Sequence, residues 1–510
     1  MSSTHSQPEP AAHPPIDLSS FAGGHPVGGG GWIERVNPAD TTELVGRVEQ
    51  VDRAGAVAAV TAAHTAFLSW RATPLEQRCA QLLAAADSVA ASAEEFGPLL
   101  ARELGKVVGD CRGEMGFAAA CLRWCVEHAE EALADQIVDD DLGRLVVSRI
   151  PYGVVTAIVP WNAPLILSIL KVAPALVTGN TIIVKPSPIA PLAVTAALSR
   201  VAEHLPPGVL SVVHGGPDVG ETLVAHELVR KVAFTGGGVT AVAVGRAAAA
   251  TITPMVLELG GNDPALVLDD VAFTDSMMER LIFGTFLTSG QVCMAAKRIY
   301  VPRARIDEFV GRYVEVAAEL LVLGDPLDPT VTVGPMASPQ QRQIVEDLVA
   351  DAVSRGGVVH QLGTVAAGTD MARGWFLQPT LVSGVEHDAP IVQLEQFGPT
   401  VPVVGYESVA DALVMANDSD LGLASSVWSD DEHRAFEVAR SIEAGMTFIN
   451  CHNRAGMSLR APFGGVKQSG FGREFGMAGL SEYLQSHSLH APAMARPGAA
   501  HAAANSYPGQ

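Results

Sequence analysis

Between residues 52 and 134 apolar side chains recur at helical spacing, which predicts helices over 52–70, 75–104 and 112–134. Further along, the pattern changes to short β-branched runs, VVTAIV, TIIVK, LSVV and KVAF, separated by helix-like stretches. That alternation predicts a parallel sheet with crossover helices. A second set follows residue 262, with ALVLD, RIYV, FLQPTLV, PVVGY and SVWS, so two α/β domains are expected. LVVSRI alternates in the manner of a half-exposed strand, and no fixed-period repeat is visible. Residues 1–31, rich in Gly, Pro, Ser and His, and residues 491–510, poor in large apolar groups, are expected to be disordered tails.

Length agrees with more than one core: 510 residues exceed what a single hydrophobic interior organises. A formal net charge of -22 argues against nucleic acid or an anionic membrane surface as partner. The six cysteines show no disulfide-framework spacing, which points to a reducing compartment and hence the cytoplasm. The N-terminal stretch MSSTHSQPEPAAHPP lacks the basic and apolar regions of a secretory signal. APLILSILKVAPALV is interrupted by Lys171 and Pro174 and is too short to span a bilayer. In CLRWCVEH, Cys121, Cys125 and His128 share a helix face, but no second ligand pair accompanies them and no metal is expected.

Several stretches carry candidate chemistry. KVAFTGGGVTAVAVGRAAAA sets Thr235, Gly236, Gly237 and Gly238 between a strand and an Ala-rich helix. Glycines there let backbone approach a pyrophosphate at a helix N-terminus, although a ligand-free turn accounts for them equally well. In IVPWNAP, Asn162 can donate to a developing oxyanion or simply build a turn. TIIVKPS ends its β-run at Lys185, whose ammonium can reach cofactor hydroxyls or sit in solvent. VLELGG puts Glu258 at the end of an apolar strand, where burial raises a carboxyl toward general-base range unless an ion pair claims it. TSGQVCMAAKRIY places Cys293 between a glycine-bearing turn and a strand; by default such a thiol packs as a small hydrophobe.

Taken together, PWN (160–162), KPS (185–187), FTG (234–236), LELGGNDPALVLDD (257–270), SGQVC (289–293), EQFGP (395–399) and PFGGVKQSGFGRE (462–474) resemble, in order and spacing, the motifs of the aldehyde dehydrogenase superfamily. The resemblance covers roughly residues 32–490 and implies a hydrolytic, NAD(P)-dependent oxidation of an aldehyde to a carboxylic acid. By it, Cys293 is the nucleophile that forms the thiohemiacetal and thioester. Asn162 and the Cys293 backbone N–H hold the oxyanion, and Glu258 activates the hydrolytic water. Dinucleotide contacts are implied for Ile158, Pro160, Trp161, Lys185, Ser187, Gly216, Gly220, Phe234, Thr235, Gly236, Gly237, Leu259, Glu395 and Phe397. NAD is the expected cofactor, with NADP possible, because Pro188 stands where many NAD-preferring relatives carry a glutamate and Gly237 replaces a serine.

The implied architecture is a Rossmann-like NAD(P)-binding domain (32–134 and 152–261), a second α/β catalytic domain (262–461), a return segment (462–482) and a small β oligomerisation arm (135–151 and 483–490). That arm implies a homodimer or homotetramer. The alternative readings are a CoA-acylating relative, which the carboxylate at Glu258 disfavours, and a catalytically silent binding or structural homologue, which intact Cys293, Asn162 and Glu258 disfavour. The substrate tunnel is expected near Ala163, Leu167, Leu170, Leu287, Met294 and the segment CHNRAGMSLRA, as a fairly wide apolar passage in which Arg454 and Arg460 could greet an acidic tail.

Overall fold

The computed structural model describes residues 14–495. Its larger sheet is built around five parallel strands that lie in the order Met255–Glu258, Val229–Thr235, Val154–Ile158, Thr181–Lys185 and Leu210–Val212. The chain starts this set at Val154–Ile158, walks outward to Leu210–Val212, then returns to the other side of its first strand. The order reversal therefore falls between Val154–Ile158 and Val229–Thr235, where doubly wound sheets open a crevice at their carboxyl ends. Register brings Ile158 opposite Lys185 and Phe234, and Thr235 opposite Glu258, so five candidate residues share one rim.

TIIVK is buried along its whole length, as a β-branched strand covered on both faces by helices must be. One of those helices, Pro164–Val177, begins on a proline, whose missing N–H costs nothing in a first turn. It is almost entirely buried, Lys171 included. A second sheet runs Val358–Gln361, Thr380–Ser383, Thr400–Tyr406, Ala296–Pro302, Asp263–Val267, Ala424–Trp428 and Met446–Ile449, parallel except at its first strand. A third, of three strands, joins the hairpin Gln136–Asp140 and Gly143–Pro151 to the chain's own Leu484–Pro492.

The helix expected over 75–104 is two, Leu75–Ala91 and Ala93–Leu104. Ser92 leaves helical geometry and donates its hydroxyl back to the Val89 carbonyl. The helix expected over 112–134 starts earlier, at Val108, and breaks at His128, whose ring bonds the Trp124 carbonyl and stacks on its indole. Cys121 and Cys125 are buried in the core, and among the described residues no group of His, Cys, Asp and Glu is placed to hold a metal. No helix among them is long and apolar enough to cross a membrane.

Both expected tails need correction. Ile16–Ala22, His25–Val27 and Gly29–Asn37 are strands joined to the large sheet, and Ile16–Ala22 pairs in parallel with Asp40–Val51. Of the glycines that suggested disorder, Gly23 and Gly24 both have positive φ and close the two-residue hairpin between Ala22 and His25, and Gly29, Gly30 and Gly31 open the strand Gly29–Asn37. At the other end the arm strand continues through Pro492 rather than stopping at 490. Residues 1–13 and 496–510, the remainder of the expected tails, lie outside the described residues.

Candidate active site

The crevice at the order reversal is a cavity of about 290 Å³. Pro160, Trp161, Asn162, Thr235, Gly236, Gly237, Leu259, Cys293, Glu395 and Phe397 line it, together with Gly260, Gln341 and Ile344. Trp161 and Phe397 meet edge-to-face with ring centroids 5.5 Å apart. Gly260 lets Glu395 close on the crevice: a Cβ there would come within 2.3 Å of a Glu395 carboxylate oxygen and displace that side chain. Gly237 and Gly238, opening the helix Gly238–Ala249, have nothing within 4 Å of a would-be Cβ, so the helix N-terminus is bare.

Lys185, Ile158 and Gly220 gather beside this crevice, Gly220 facing the Lys185 stem and Ile158. The Lys185 ammonium makes no hydrogen bond among the described residues, and burial pulls its pKa down to about 8 while Asp218 works the other way. A desolvated cation without a partner, next to an uncovered helix N-terminus, fits the hydroxyls and pyrophosphate of a dinucleotide. Gly216 caps the helix Pro217–Ala225, and Ser187 turns its hydroxyl onto the Ile189 N–H. Phe234 is buried beneath Gly236, so it supports the crevice floor rather than lining it.

Cys293 and Asn162 also line a second, apolar cavity of about 90 Å³. Backbone just before the thiol is strained: Thr288 and Ser289 hold φ of 55° and 56°. Gly290 of the same turn lies against the Gly398 carbonyl, tying SGQVC to EQFGP. Asn162 Nδ2 donates to the Gln291 carbonyl at 3.0 Å, which fixes the amide and leaves its second N–H for another acceptor. Lys297 Nζ donates to the Val292 and Cys293 carbonyls at 2.9 and 2.5 Å and lies 3.4 Å from Glu395 Oε1. Burial pushes the Cys293 thiol up to about 12, against the pull of Lys297.

Glu258 lines neither cavity. It is buried at its strand end, and neither carboxylate oxygen has a hydrogen-bond partner among the described residues. Burial first, and then the neighbouring Glu474, hold its pKa well above the usual carboxylate range, with Lys171 and Arg473 opposing. The PFGG turn presses on it, since a Cβ at Gly464 would lie 2.7 Å from Oε1. Behind it Lys171 Nζ donates to Glu474 Oε1 at 2.5 Å and to Thr235 Oγ1 at 2.7 Å.

Sequence reasoning missed Lys171, Glu474, Lys297 and Gln291. A lysine inside the otherwise apolar APLILSILKVAPALV was the one available signal. Ala163, Leu167, Leu170, Leu287 and Met294 do line the apolar cavity, as do Arg454 and Met457 from CHNRAGMSLRA, whereas Arg460 is exposed and does not. The passage is narrower than expected, because Phe117, Phe463 and Phe475 close it from other segments.

A cysteine shared by a strand-end crevice and an apolar cavity suits a dinucleotide-dependent oxidoreductase. Comparison with known proteins makes this specific. The aldehyde dehydrogenase family model matches residues 26–489. Geranial dehydrogenase of Castellaniella defragrans is 36% identical over 474 residues, 91% of this chain and 97% of that protein. Betaine aldehyde dehydrogenase of Staphylococcus aureus, solved with NAD+, has a TM-score of 0.88 at 30% identity over 95% of this chain and 96% of its own. The solved complex of 3,6-anhydro-L-galactose dehydrogenase with NADP (NAP) also has a TM-score of 0.88, at 30% identity, covering 93% of this chain and 100% of that one. The chain belongs to the aldehyde dehydrogenase family. It has that family's α/β fold and oxidises an aldehyde to the acid with NAD(P).

Proposed function

We propose that oxidation runs through a covalent intermediate on Cys293 that is hydrolysed with the help of Glu258. The observation carrying this reading is that Cys293 and Asn162 alone among the candidate residues line both cavities, so a carbonyl entering from the apolar side meets the thiol facing the dinucleotide. Once the thiol has passed its proton to water, the sulfur adds to the carbonyl carbon, and the oxygen becomes an oxyanion within reach of the free Asn162 N–H and the Cys293 backbone N–H. The dinucleotide, when bound, supplies the hydride acceptor. Loss of hydride from carbon re-forms the carbonyl as a thioester. Glu258 then takes a proton from water, the hydroxide adds to the thioester, and the C–S bond breaks to release the acid and free the sulfur. A carboxyl with raised proton affinity and unused oxygens suits that task.

Glu395, through Lys297, is tied to the carbonyl of the nucleophile itself, which couples the ribose-side wall to the thiol's position. The three-stranded arm is the proposed contact of a homodimer or homotetramer. Six unpaired thiols support a cytoplasmic setting. Cys293→Ala tests the mechanism: turnover is expected to fall by a factor on the order of 10³ or more. Nucleotide binding, read by quenching of tryptophan fluorescence, should persist. Appreciable turnover in the alanine variant overturns the assignment.

A further inference from the structure

The apolar cavity contains three charged side chains, Lys106, Arg454 and Glu474, and each is matched by an opposite charge supplied from outside the cavity lining. Lys106 Nζ donates to Glu114 Oε2 at 2.7 Å, and Glu114 in turn accepts from the Leu165 and Ile166 N–H groups. Glu474 is taken by Lys171. Arg454 Nη2 donates to Asp110 Oδ1 at 2.8 Å, with both side chains mostly buried. No cation facing the cavity is left to receive an anionic substrate tail.

Arg454 and Asp110 also sit at a boundary. Arg454 lines the inner cavity, whereas Asp110 lines an outer groove of about 810 Å³. Leu287 belongs to both, and Ile282, Phe283, Phe286, Leu321 and Val331 continue the apolar wall outward. Resting on the reading of the apolar cavity as the aldehyde site, we propose that Asp110 is a specificity-determining residue: by neutralising Arg454 it makes the passage one for aldehydes with uncharged, apolar tails and closes it to ω-carboxylate semialdehydes. An arginine at the neck of a narrow desolvated cavity is otherwise a strong, bidentate carboxylate receptor. With Asp110 in place, an incoming carboxylate has to compete with a bonded partner and is repelled by its charge.

The test is a matched series of alkanals and ω-oxo acids of the same short chain lengths, assayed with wild type, Asp110→Asn, Arg454→Met and the double variant. Wild type is expected to favour the alkanal at every length. Asp110→Asn should raise kcat/KM for the ω-oxo acids about tenfold or more, chiefly through KM. Adding Arg454→Met should abolish that gain, which a general loosening of the helix start at Val108 would not explain. A wild type that prefers the ω-oxo acid, an unchanged preference in Asp110→Asn, or a gain that survives Arg454→Met each overturns the proposal. The wild-type comparison holds even if a variant does not fold. Propanal, whose tail offers neither charge nor length, separates the two levels: no propanal oxidation by wild type means the cavity is not the aldehyde site, whereas oxidation with an unmoved ω-oxo acid preference sinks the role of Asp110 alone.

Discussion

Glu258 presents an apparent contradiction, since a buried carboxyl with raised proton affinity is a good base only once it has lost its proton. The sign follows from the cause. Burial and the charge of Glu474 favour the neutral form, so at low pH Glu258 is protonated and cannot take a proton from water; deacylation should rise with pH through its elevated pKa and then level off. Glu258→Gln is expected to slow deacylation by about 10²- to 10⁴-fold while sparing hydride transfer. A rapid burst of NAD(P)H followed by a slow, pH-flat steady state in stopped flow would display both effects. Equal slowing of the two phases, or an unchanged pH limb, would show that another group activates the water. The sequence made Glu258 and Asn162 visible as candidates because glycines or prolines mark the strand ends they stand beside, and Cys293 because it follows a glycine-bearing turn. It could not reveal Lys171 and Glu474, which are 303 positions apart and meet only through the fold. For the same reason the pairing that occupies Arg454 was hidden, and the sequence left open whether that arginine is solvated or receives an acidic tail.

At the scale of elements, the strand ends of the large sheet are expected to set which dinucleotide is accepted. Short β-branched runs were legible because strands covered on both faces must be apolar along their length, and TIIVK and KVAF both fall within the observed strands. Helix ends were less legible, since Ser92 and His128 break continuous apolar periodicity through hydrogen bonds that the pattern does not encode. Pro188 lies three residues beyond the end of Thr181–Lys185 and is exposed. Proline offers neither a side-chain acceptor for a ribose 2′-hydroxyl nor a charge to repel a 2′-phosphate, while Lys185, close by along the chain, can attract one. NAD is therefore expected to be used with weak discrimination against NADP, and Pro188→Glu should move the kcat/KM ratio toward NAD. A charge-assisted hydrogen bond is worth about 1.5–3 kcal/mol, or roughly 10- to 150-fold. Strict NAD use by wild type, or an unmoved ratio in the variant, would place the choice elsewhere.

Across the whole molecule, the two large sheets meet at the site while the three-stranded arm stands apart with its apolar surface uncovered. Composition misled at the chain's start, where glycine-rich stretches that resemble a tail belong to the turns and strands sealing one edge of the large sheet. The arm was implied by the family resemblance, with LVVSRI alternating roughly as a half-exposed strand would; its extent was not legible, because the pairing from Leu484↔Pro151 through Pro492↔Gly143 depends on the hairpin it docks against. Gln136–Asp140 is the arm's outer strand, and it bonds to Gly143–Pro151 alone among the named strands. Ile137, Val138 and Ile150 are exposed on the arm, and Leu142 at the hairpin tip is 79% exposed. Both an open edge and exposed large apolar side chains are liabilities that natural chains cover. A second copy of the chain is the cover expected here, so light scattering of wild type should return a dimer or tetramer. Ile137→Lys combined with Leu142→Lys should shift that mass toward a single chain, because burying the new ammonium groups costs more than the contact returns. Val414→Lys, an equally exposed apolar position on a helix of the other region, should leave the mass unchanged. A wild type that scatters as one chain, or an arm variant that keeps the wild-type mass, would remove the arm from the assembly and leave its exposed edge to be covered by something else.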